Sequence, residues 1–166
     1  MHETSMQRMG KFRKSYVLAG QSVLDVGGAD VNGSYRKLFQ DCDYKTLDLE
    51  GADIIVDGWD WPIDNDQFDV VISGQMLEHD KFFWLTLKNI ARVLKPGGVV
   101  CLIAPMAWRV HRYPVDCWRF QPDASASFAE WMGMELVETE VMVVGAEKSG
   151  GKKRDLVTVL RNPSVR

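Results

Sequence analysis

The stretch VLDVGGADVNGS, residues 23–34, decides the fold of this chain. A short apolar run leads into two glycines, and a polar turn then leads into a segment with helical spacing. This order is typical of a strand, a tight turn and a helix start, in which Gly27 and Gly28 allow a sharp turn and the close approach of a ligand. Because ligands of open parallel sheets bind beyond the carboxyl ends of the strands, we expect the ligand site here.

Strands and helices alternate along the rest of the chain. Apolar runs predict strands at residues 22–26, 43–49, 52–56, 68–73 and 99–104, and helical spacing predicts an amphipathic helix at 81–94. Two further strands, near 134–144 and 155–161, close the chain as a hairpin around a polar loop at 146–154. The pattern predicts an α/β fold, a single-domain, doubly wound, Rossmann-like sheet that is mostly parallel and ends in an antiparallel hairpin.

A length of 166 residues suits one domain, residues 1–166. We divide it into an N-terminal helix (5–19), a ligand-binding core (20–105), a substrate loop (106–122) and a closing helix with its hairpin (123–161). In the closing helix we expect Asp123 to act as the N-terminal cap and Phe128, Trp131 and Met132 to point inward.

Composition points to a cytoplasmic protein and gives no sign of a nucleic-acid or membrane partner. The net charge of −3 gives no global attraction to nucleic acid or to an anionic membrane, and no apolar run reaches the roughly 20 residues of a membrane span. The first residues lack the apolar core of a signal peptide. Cys42, Cys101 and Cys117 are odd in number and lack metal-site spacing, so we expect reduced thiols and no metal.

Several motifs in register resemble one enzyme family. An acid, Asp48, ends the second strand, and Asp57 follows the third. PIDNDQFDVVISGQMLEH (62–79) surrounds the fourth strand, and ARVLKPGGVVCLIAP (91–105) leads into the fifth. Together with the glycine turn, this set resembles the class I S-adenosylmethionine-dependent methyltransferases, in particular the small-molecule, type 11-like group, over roughly residues 20–105.

The resemblance implies S-adenosylmethionine as the cofactor and a role for each matching residue. Asp25 and Gly27 would shape the turn under the methionine moiety, and Asp48 would accept hydrogen bonds from the two ribose hydroxyls. The adenine would lie against Asp57, Gly58 and Trp59, and the sulfonium end near the residues that follow the fourth strand. The full cofactor set implied is Asp25, Gly27, Gly28, Asp48, Leu49, Asp57, Gly58, Trp59, Ser73 and Gln75.

The glycine turn departs from the family pattern, because Ala29 stands at the usual third glycine and Val31 at a further one. A nicotinamide cofactor is the nearest alternative, since it also uses a glycine turn and an acid after the second strand. Asp30, however, would place a negative charge beside a pyrophosphate, which is unfavourable.

If the acceptor is a hydroxyl, a base would assist the transfer. Imidazole titrates near neutral pH, so His79 and His111 are candidates, with Tyr113 beside them. His79 follows the fourth strand, where the alternative role is capping or packing. His111 lies in the long loop, where the alternative is an ordinary loop histidine.

The loop segment HRYPVDCWRF (111–120) is dense in polar and aromatic groups. We identify Arg112, Asp116, Trp118 and Arg119 as candidate substrate residues, because guanidinium groups bind phosphate or carboxylate and aromatic rings stack on sugars. The alternative is an ordered lid anchored by Trp118 and Phe120, with Asp116 paired to an arginine.

The sequence thus predicts methyl transfer to a small polar acceptor. The loop segment also resembles one in methyltransferase-like proteins associated with surface-glycan gene sets, which favours a sugar- or nucleotide-linked acceptor. Two alternatives stay open, a non-catalytic protein that keeps the cofactor fold for binding or interaction, and a methyltransferase acting on a macromolecule.

Overall fold

The computed structural model describes residues 3–31, 33–146 and 151–164. Its elements in chain order are α1 (Glu3–Tyr16), β1 (Ser22–Val26), a 3₁₀ helix (Tyr35–Leu38), β2 (Asp43–Asp48), β3 (Ile54–Ile55), β4 (Phe68–Gly74), α2 (Phe83–Val93), β5 (Leu94–Ala107), α3 (Ala124–Met132), β6 (Glu135–Ala146) and β7 (Lys152–Arg161). Asn32 of the predicted turn, and residues 147–150 of the predicted hairpin loop, lie outside the described residues.

The seven strands form one sheet in the order β3-β2-β1-β4-β5-β7-β6. The first five pair in parallel, β7 is antiparallel to β5, and β6 is antiparallel to β7. The predicted fold class is therefore confirmed. Within the described residues, no helix is long and apolar enough to cross a membrane.

Both faces of the sheet are covered. Met9 and Phe12 of α1 pack with the 3₁₀ helix on one face, while Leu87 of α2 and Phe128 of α3 pack on the other. Strand β4 lies between these layers, and its central side chains are buried. This explains its nearly continuous apolar sequence.

Strand β5 is longer at both ends than the predicted 99–104. Leu94 already pairs with Phe68, and the Pro96–Gly98 segment forms an irregularity before Val99 pairs with Val70. Pro105 does not end the strand, because β7 pairs with it as far as Ala107. Pairing with a strand fifty residues later therefore overrides the local stop signal.

Two predicted details of α3 are wrong. Trp131 is 56% exposed and its indole N–H donates to the carbonyl of Trp84, whereas Phe128 and Met132 are buried as expected. Asp123 occupies the N-cap position, but its side chain makes no capping hydrogen bond. The buried stripe of the helix is formed by Ser125, Phe128, Ala129 and Met132, and Trp131 falls outside it.

Candidate active site

The turn after β1 requires glycine at residue 27. Gly27 has φ +77°, and its N–H donates to the carbonyl of Leu47 at 2.8 Å, which ties the turn to β2. A β-carbon on Gly27 would lie 2.4 Å from Cγ of Met76. Both the backbone conformation and the close approach of the β4 end therefore exclude a side chain here.

Asp48 faces this turn from the end of β2. Its Oδ2 accepts the N–H of Ala29 at 3.1 Å, and its Oδ1 accepts the N–H of Leu49 at 2.8 Å. The residue is half-buried, and the neighbouring Leu49 is 64% exposed. The arrangement presents a carboxylate beside the glycine turn at the edge of the sheet.

Two predicted cofactor residues are engaged inside the protein. Asp25 is buried and accepts a hydrogen bond from the Tyr44 hydroxyl, and burial raises the pKa of its carboxyl to about 7. Ser73 is also buried, and its hydroxyl donates to the carbonyl of Val26 at 2.8 Å. These side chains join neighbouring strands beneath the turn.

The segment after β3 lies partly against the start of α2. The indole N–H of Trp59 points to the Asp80 carboxylate at 3.3 Å, and its ring lies edge-on to Phe82 with centroids 5.1 Å apart. Asp57 is exposed, and Gly58 has φ +82°. Trp59 thus contacts the residues that follow β4.

Gln75 begins the turn between β4 and α2 (residues 75–82, the β4–α2 turn). It has φ +61°, a conformation that is uncommon for a residue with a side chain. Its amide donates to Oδ2 of Asp155 at 2.6 Å, and Trp108 donates to Oδ1 of the same carboxylate at 2.7 Å. Asp155 is buried, and burial raises its pKa to about 6.

The segment that joins β5 to α3 (residues 108–123, the β5–α3 loop) packs against the β4–α2 turn. The backbone N–H groups of Cys117 and Trp118 donate to the carbonyl of Glu78 at 2.7 and 3.3 Å. The indole of Trp118 donates to the carbonyl of Asp80 at 2.8 Å. Two segments far apart in sequence are therefore held together by backbone hydrogen bonds.

An ion pair orders the β5–α3 loop from within. Arg119 makes a two-point contact with Asp116, at 2.5 and 2.7 Å, and donates to the carbonyls of Trp108 and Arg109 at 3.2 and 3.0 Å. The guanidinium holds the pKa of the Asp116 carboxyl well below its usual range. These contacts are those expected of an ordered lid in which Asp116 pairs with an arginine.

Other candidate residues of the loop face solvent. Arg112 is exposed, and Tyr113 is 63% exposed with its ring 6.5 Å from that of His79. Trp118 is half-buried and lies edge-on to Phe83 at 5.3 Å. Arg112 and Tyr113 are thus the members of the predicted substrate and catalytic set that remain most accessible to an acceptor.

The loop brings two histidines to one buried carboxylate. Nδ1 of His79 lies 2.6 Å from the carbonyl of Val115, and the ring centroids of His79 and His111 are 5.1 Å apart. The Nε2 atoms of His79 and His111 lie 3.6 and 3.9 Å from Oε1 of Glu78. Within the described part of the chain, neither Glu78 oxygen has a hydrogen-bond partner.

Burial dominates the electrostatics of this cluster. Glu78 is fully buried, which raises the pKa of its carboxyl to about 8, and burial lowers the pKa of His79. Both histidines are predicted from the sequence, whereas Glu78 and Asp155 are not. Asp155 could have been found from the sequence, because it is an acid near the start of an apolar strand. Glu78 could not, because it is buried by a loop that begins thirty residues later.

A separate groove of about 870 Å³ runs beside β2 and the 3₁₀ helix, with Arg36, Thr46 and Asp53 in its lining. Of the predicted cofactor residues, Gly28 lies in the lining of this groove. Arg36 and Asp53, on the groove wall, form an ion pair at 2.6 Å. The histidine cluster and Asp48 are not part of this lining.

Comparison with known proteins agrees with the geometry. A family model described as a methyltransferase domain matches residues 12–102, more than half of the chain. A curated relative, a hybrid polyketide–nonribosomal peptide synthetase of Penicillium oxalicum, is 38% identical over 60 residues. That match spans 36% of this chain and 1% of the synthetase.

Solved structures share the fold at low identity. An S-adenosylmethionine-dependent methyltransferase of Methanosarcina mazei has a TM-score of 0.74 and 14% identity, over 92% of this chain and 97% of its own. The 1,6-didemethyltoxoflavin N1-methyltransferase of Burkholderia thailandensis, crystallised with its substrate and S-adenosylhomocysteine, has a TM-score of 0.76 and 14% identity. That match covers 97% of this chain and 79% of the enzyme.

The family match and the motifs in register agree, and the predicted resemblance is confirmed. The chain therefore belongs to the methyltransferase domain family and is a class I S-adenosylmethionine-dependent methyltransferase.

Proposed function

We propose that this methyltransferase acts on a small polar acceptor, sugar- or nucleotide-linked, which binds between the glycine turn and the β5–α3 loop. The observation that carries the proposal is the loop itself. It is fixed by hydrogen bonds to the backbone carbonyls of Glu78 and Asp80, yet it exposes Arg112 and Tyr113 beside the histidine pair. A cation and aromatic groups next to a base suit an anionic or ring-bearing hydroxyl compound.

Asp48 fits the ribose of the cofactor. An ionised carboxylate has about four acceptor sites. The described contacts of Asp48 are one backbone N–H on each oxygen, which leaves acceptor capacity on both. Asp48 can therefore receive two neighbouring hydroxyls without losing its contact to the glycine turn.

The other cofactor residues follow in the same proposal. Gly27, Gly28 and Leu49 would line the ligand beside Asp48, and Asp25 would hold the turn from beneath. Asp57, Gly58 and Trp59 would lie at the adenine, with Trp59 fixed in place by Asp80. Ser73 would act by joining β4 to β1, and Gln75 by its strained turn at the end of β4.

When bound, S-adenosylmethionine supplies a methyl group activated by the sulfonium, so the transfer itself needs no covalent help from the protein. The task of the chain is to orient the acceptor, which is worth on the order of 7–11 kcal/mol. The docked loop performs this task, because its contacts to the β4–α2 turn fix it relative to the strand ends.

The histidine pair would take the acceptor proton. His111 is the more accessible of the two, with 37% of its side chain exposed against 16% for His79. A positioned base adds roughly 10²–10⁴-fold to the rate. His79 is the more constrained, because Val115 fixes its ring.

The proposal extends to the setting of the enzyme. The three cysteines are free thiols, which supports a reducing, cytoplasmic compartment. The net charge of −3 supports a small-molecule acceptor over nucleic acid or a membrane surface. We also propose that residues 1–166 act as one domain.

Calorimetry with S-adenosylhomocysteine tests the cofactor end. Asp48→Ala removes a charged acceptor and should weaken binding about tenfold or more. Asp43→Ala is the matched control, since Asp43 is exposed at the other end of the same strand. Equal affinity of the two variants would reject the role of Asp48.

Transfer of a labelled methyl group across a panel of sugars, nucleotide sugars and short oligonucleotides tests the acceptor. Turnover of the first two classes supports the proposal. Turnover of the oligonucleotides alone would favour a macromolecular acceptor, and tight cofactor binding with no turnover would favour an inert protein.

A further inference from the structure

Glu78, His79 and His111 form a cluster whose geometry the proposed methyl transfer does not explain. One ligand-type atom from each, a carboxylate oxygen and two imidazole nitrogens, lies within 4.8 Å of the others. Glu78 is fully buried, and among the described residues neither of its oxygens has a hydrogen-bond partner. A buried carboxyl group whose two oxygens have no partner is costly, and its ionised form is stable there only beside a cation.

The two imidazoles are oriented as metal-binding histidines are. Nδ1 of His79 faces the Val115 carbonyl at 2.6 Å. Nδ1 of His111 faces the Arg109 carbonyl at 3.3 Å and the Asp116 carboxylate at 3.4 Å. Acceptors at both Nδ1 atoms assign the protons there, which leaves the Nε2 lone pairs directed at Glu78.

We propose that Glu78, His79 and His111 bind one divalent transition-metal ion. Two imidazoles and one carboxylate that leave other coordination positions open are a ligand set suited to Fe²⁺, Mn²⁺ or Zn²⁺. Ligands about 2.1 Å from one ion at tetrahedral angles lie about 3.4 Å apart. The distances from Oε1 of Glu78 to the two Nε2 atoms, 3.6 and 3.9 Å, are close to this value, and the two imidazole nitrogens, which lie within 4.8 Å of each other, would move closer together on metal binding.

The sequence predicted no metal because no histidine or cysteine stands three or four positions from another. The ligands come together only when the β5–α3 loop docks on the β4–α2 turn. Asp116 supports the site from outside, since it also accepts the backbone N–H of His111 at 2.6 Å. Such outer contacts are a usual companion of metal-binding histidines.

The ion would have an accessible side, because the His111 side chain is partly exposed beside Arg112 and Tyr113. Open positions there would take water or an acceptor oxygen, and with the ion bound the two imidazoles would serve as ligands, so the ion rather than a free histidine would assist the loss of the acceptor proton. This use of the ion rests on the proposed methyl transfer, whereas the binding of the metal does not.

Titration of the chelator-treated full chain with Co²⁺ tests the site without the cofactor. We expect visible absorption bands that saturate at one ion per chain. Glu78→Gln and His111→Ala should each weaken binding at least about tenfold, as loss of a ligand does. Glu130→Gln, an exposed carboxylate on α3, is the matched control and should bind as the wild type does.

Cys117 is an exposed thiol near the site and needs its own control. Cys117→Ser should keep the full absorption, and loss of the bands in this variant would overturn the proposal. Absence of saturation, or unchanged affinity in Glu78→Gln and His111→Ala, would overturn it as well. If Glu78→Gln does not fold, as judged by circular dichroism, His111→Ala decides, since its side chain is partly exposed.

Calorimetry with S-adenosylhomocysteine on the metal-free chain separates the two proposals. Co²⁺ binding with no cofactor binding would leave the metal site standing and remove the proposed function. Cofactor binding with no Co²⁺ binding would overturn the metal site and leave the proposed function standing.

Discussion

The two ends of the candidate site are built in different ways. At the proposed cofactor end, Gly27 and Asp48 meet through neighbouring parallel strands, and the backbone of the turn donates hydrogen bonds directly to β2. At the acceptor end, the β4–α2 turn meets the β5–α3 loop, and a buried carboxylate lies beneath two histidines. The first end follows from local backbone geometry, whereas the second depends on docking between distant segments.

This difference has a physical consequence. The cofactor end should respond to changes in backbone conformation, because its ligand groups are held by glycine geometry and strand pairing. The acceptor end should respond to the loss of individual polar contacts, because ion pairs and hydrogen bonds hold its loop. Substitutions at the two ends should therefore separate cofactor affinity, turnover and stability.

The largest expected effect is on turnover. His111→Ala should lower the rate of methyl transfer by about 10²–10⁴-fold, as loss of a positioned base does. Calorimetry with S-adenosylhomocysteine should show unchanged cofactor affinity, because Asp48 and Gly27 lie at the other end. Asp48→Ala should give the opposite pattern at low cofactor concentration. A parallel loss of cofactor affinity in His111→Ala would contradict the division into two ends.

A glycine pair tests the cofactor end. Gly27→Ala should lower the free energy of unfolding by about 4 kcal/mol, because left-handed strain adds to overpacking against Met76. Gly20 is the matched control, since it has φ +80° and no atom within 4 Å of an added β-carbon. Gly20→Ala should cost only about 1–2 kcal/mol of strain. Urea denaturation measures the free energy of unfolding of both variants. Equal losses would show that the Met76 side chain can move aside without loss of stability.

Much of the fold could be predicted from the sequence. Strand β4 was predicted within one residue, because burial on both faces demands a continuous apolar run. The extension of β5 past Pro105 could not be predicted, since it depends on pairing with β7. The exposure of Trp131 was missed for a similar reason, because helical spacing alone does not say how much of a face is covered.

The candidate site, like the fold, has a part that the sequence predicts and a part that only the structure reveals. Gly27 and Asp48 stand in a local pattern that the sequence displays, and the structure brings them together. Glu78 sits next to a predicted histidine, yet its burial arises only when the loop docks on it. The sequence offers an arginine partner for Asp116 as an alternative, but residue types alone cannot say that this arginine is Arg119.

The buried Asp25 predicts a pH dependence of stability. Its folded pKa of about 7 lies above the unfolded value of 3.8, so the folded state binds the proton more tightly. This contribution is complete below about pH 4 and is lost as the pH rises toward the folded pKa. The loss amounts to about 4 kcal/mol, because each of the roughly three pKa units is worth about 1.4 kcal/mol. Asp25→Asn should reduce the decline in unfolding free energy between about pH 4 and 8, and the buried Glu78 and Asp155, whose pKa values are also raised, account for the part that remains.

Asp43→Asn is the control for this pH series, because Asp43 is exposed on the neighbouring strand. It should keep the wild-type slope. If Asp25→Asn also keeps that slope, the proton is not held at Asp25 in the folded state.

The smallest effect tests the loop of the acceptor end. Arg119→Ala removes the cation from Asp116, whose side chain is almost fully buried, and should cost about 2 kcal/mol. That is less than for a fully buried pair, because Arg119 is partly exposed and His111 still donates its N–H to Asp116. Arg112→Ala, an exposed arginine in the same loop, should leave the unfolding free energy unchanged and raise the KM of an anionic acceptor. Equal stability of the two variants, measured by urea denaturation, would mean that the backbone bonds to Glu78 hold the loop without the ion pair.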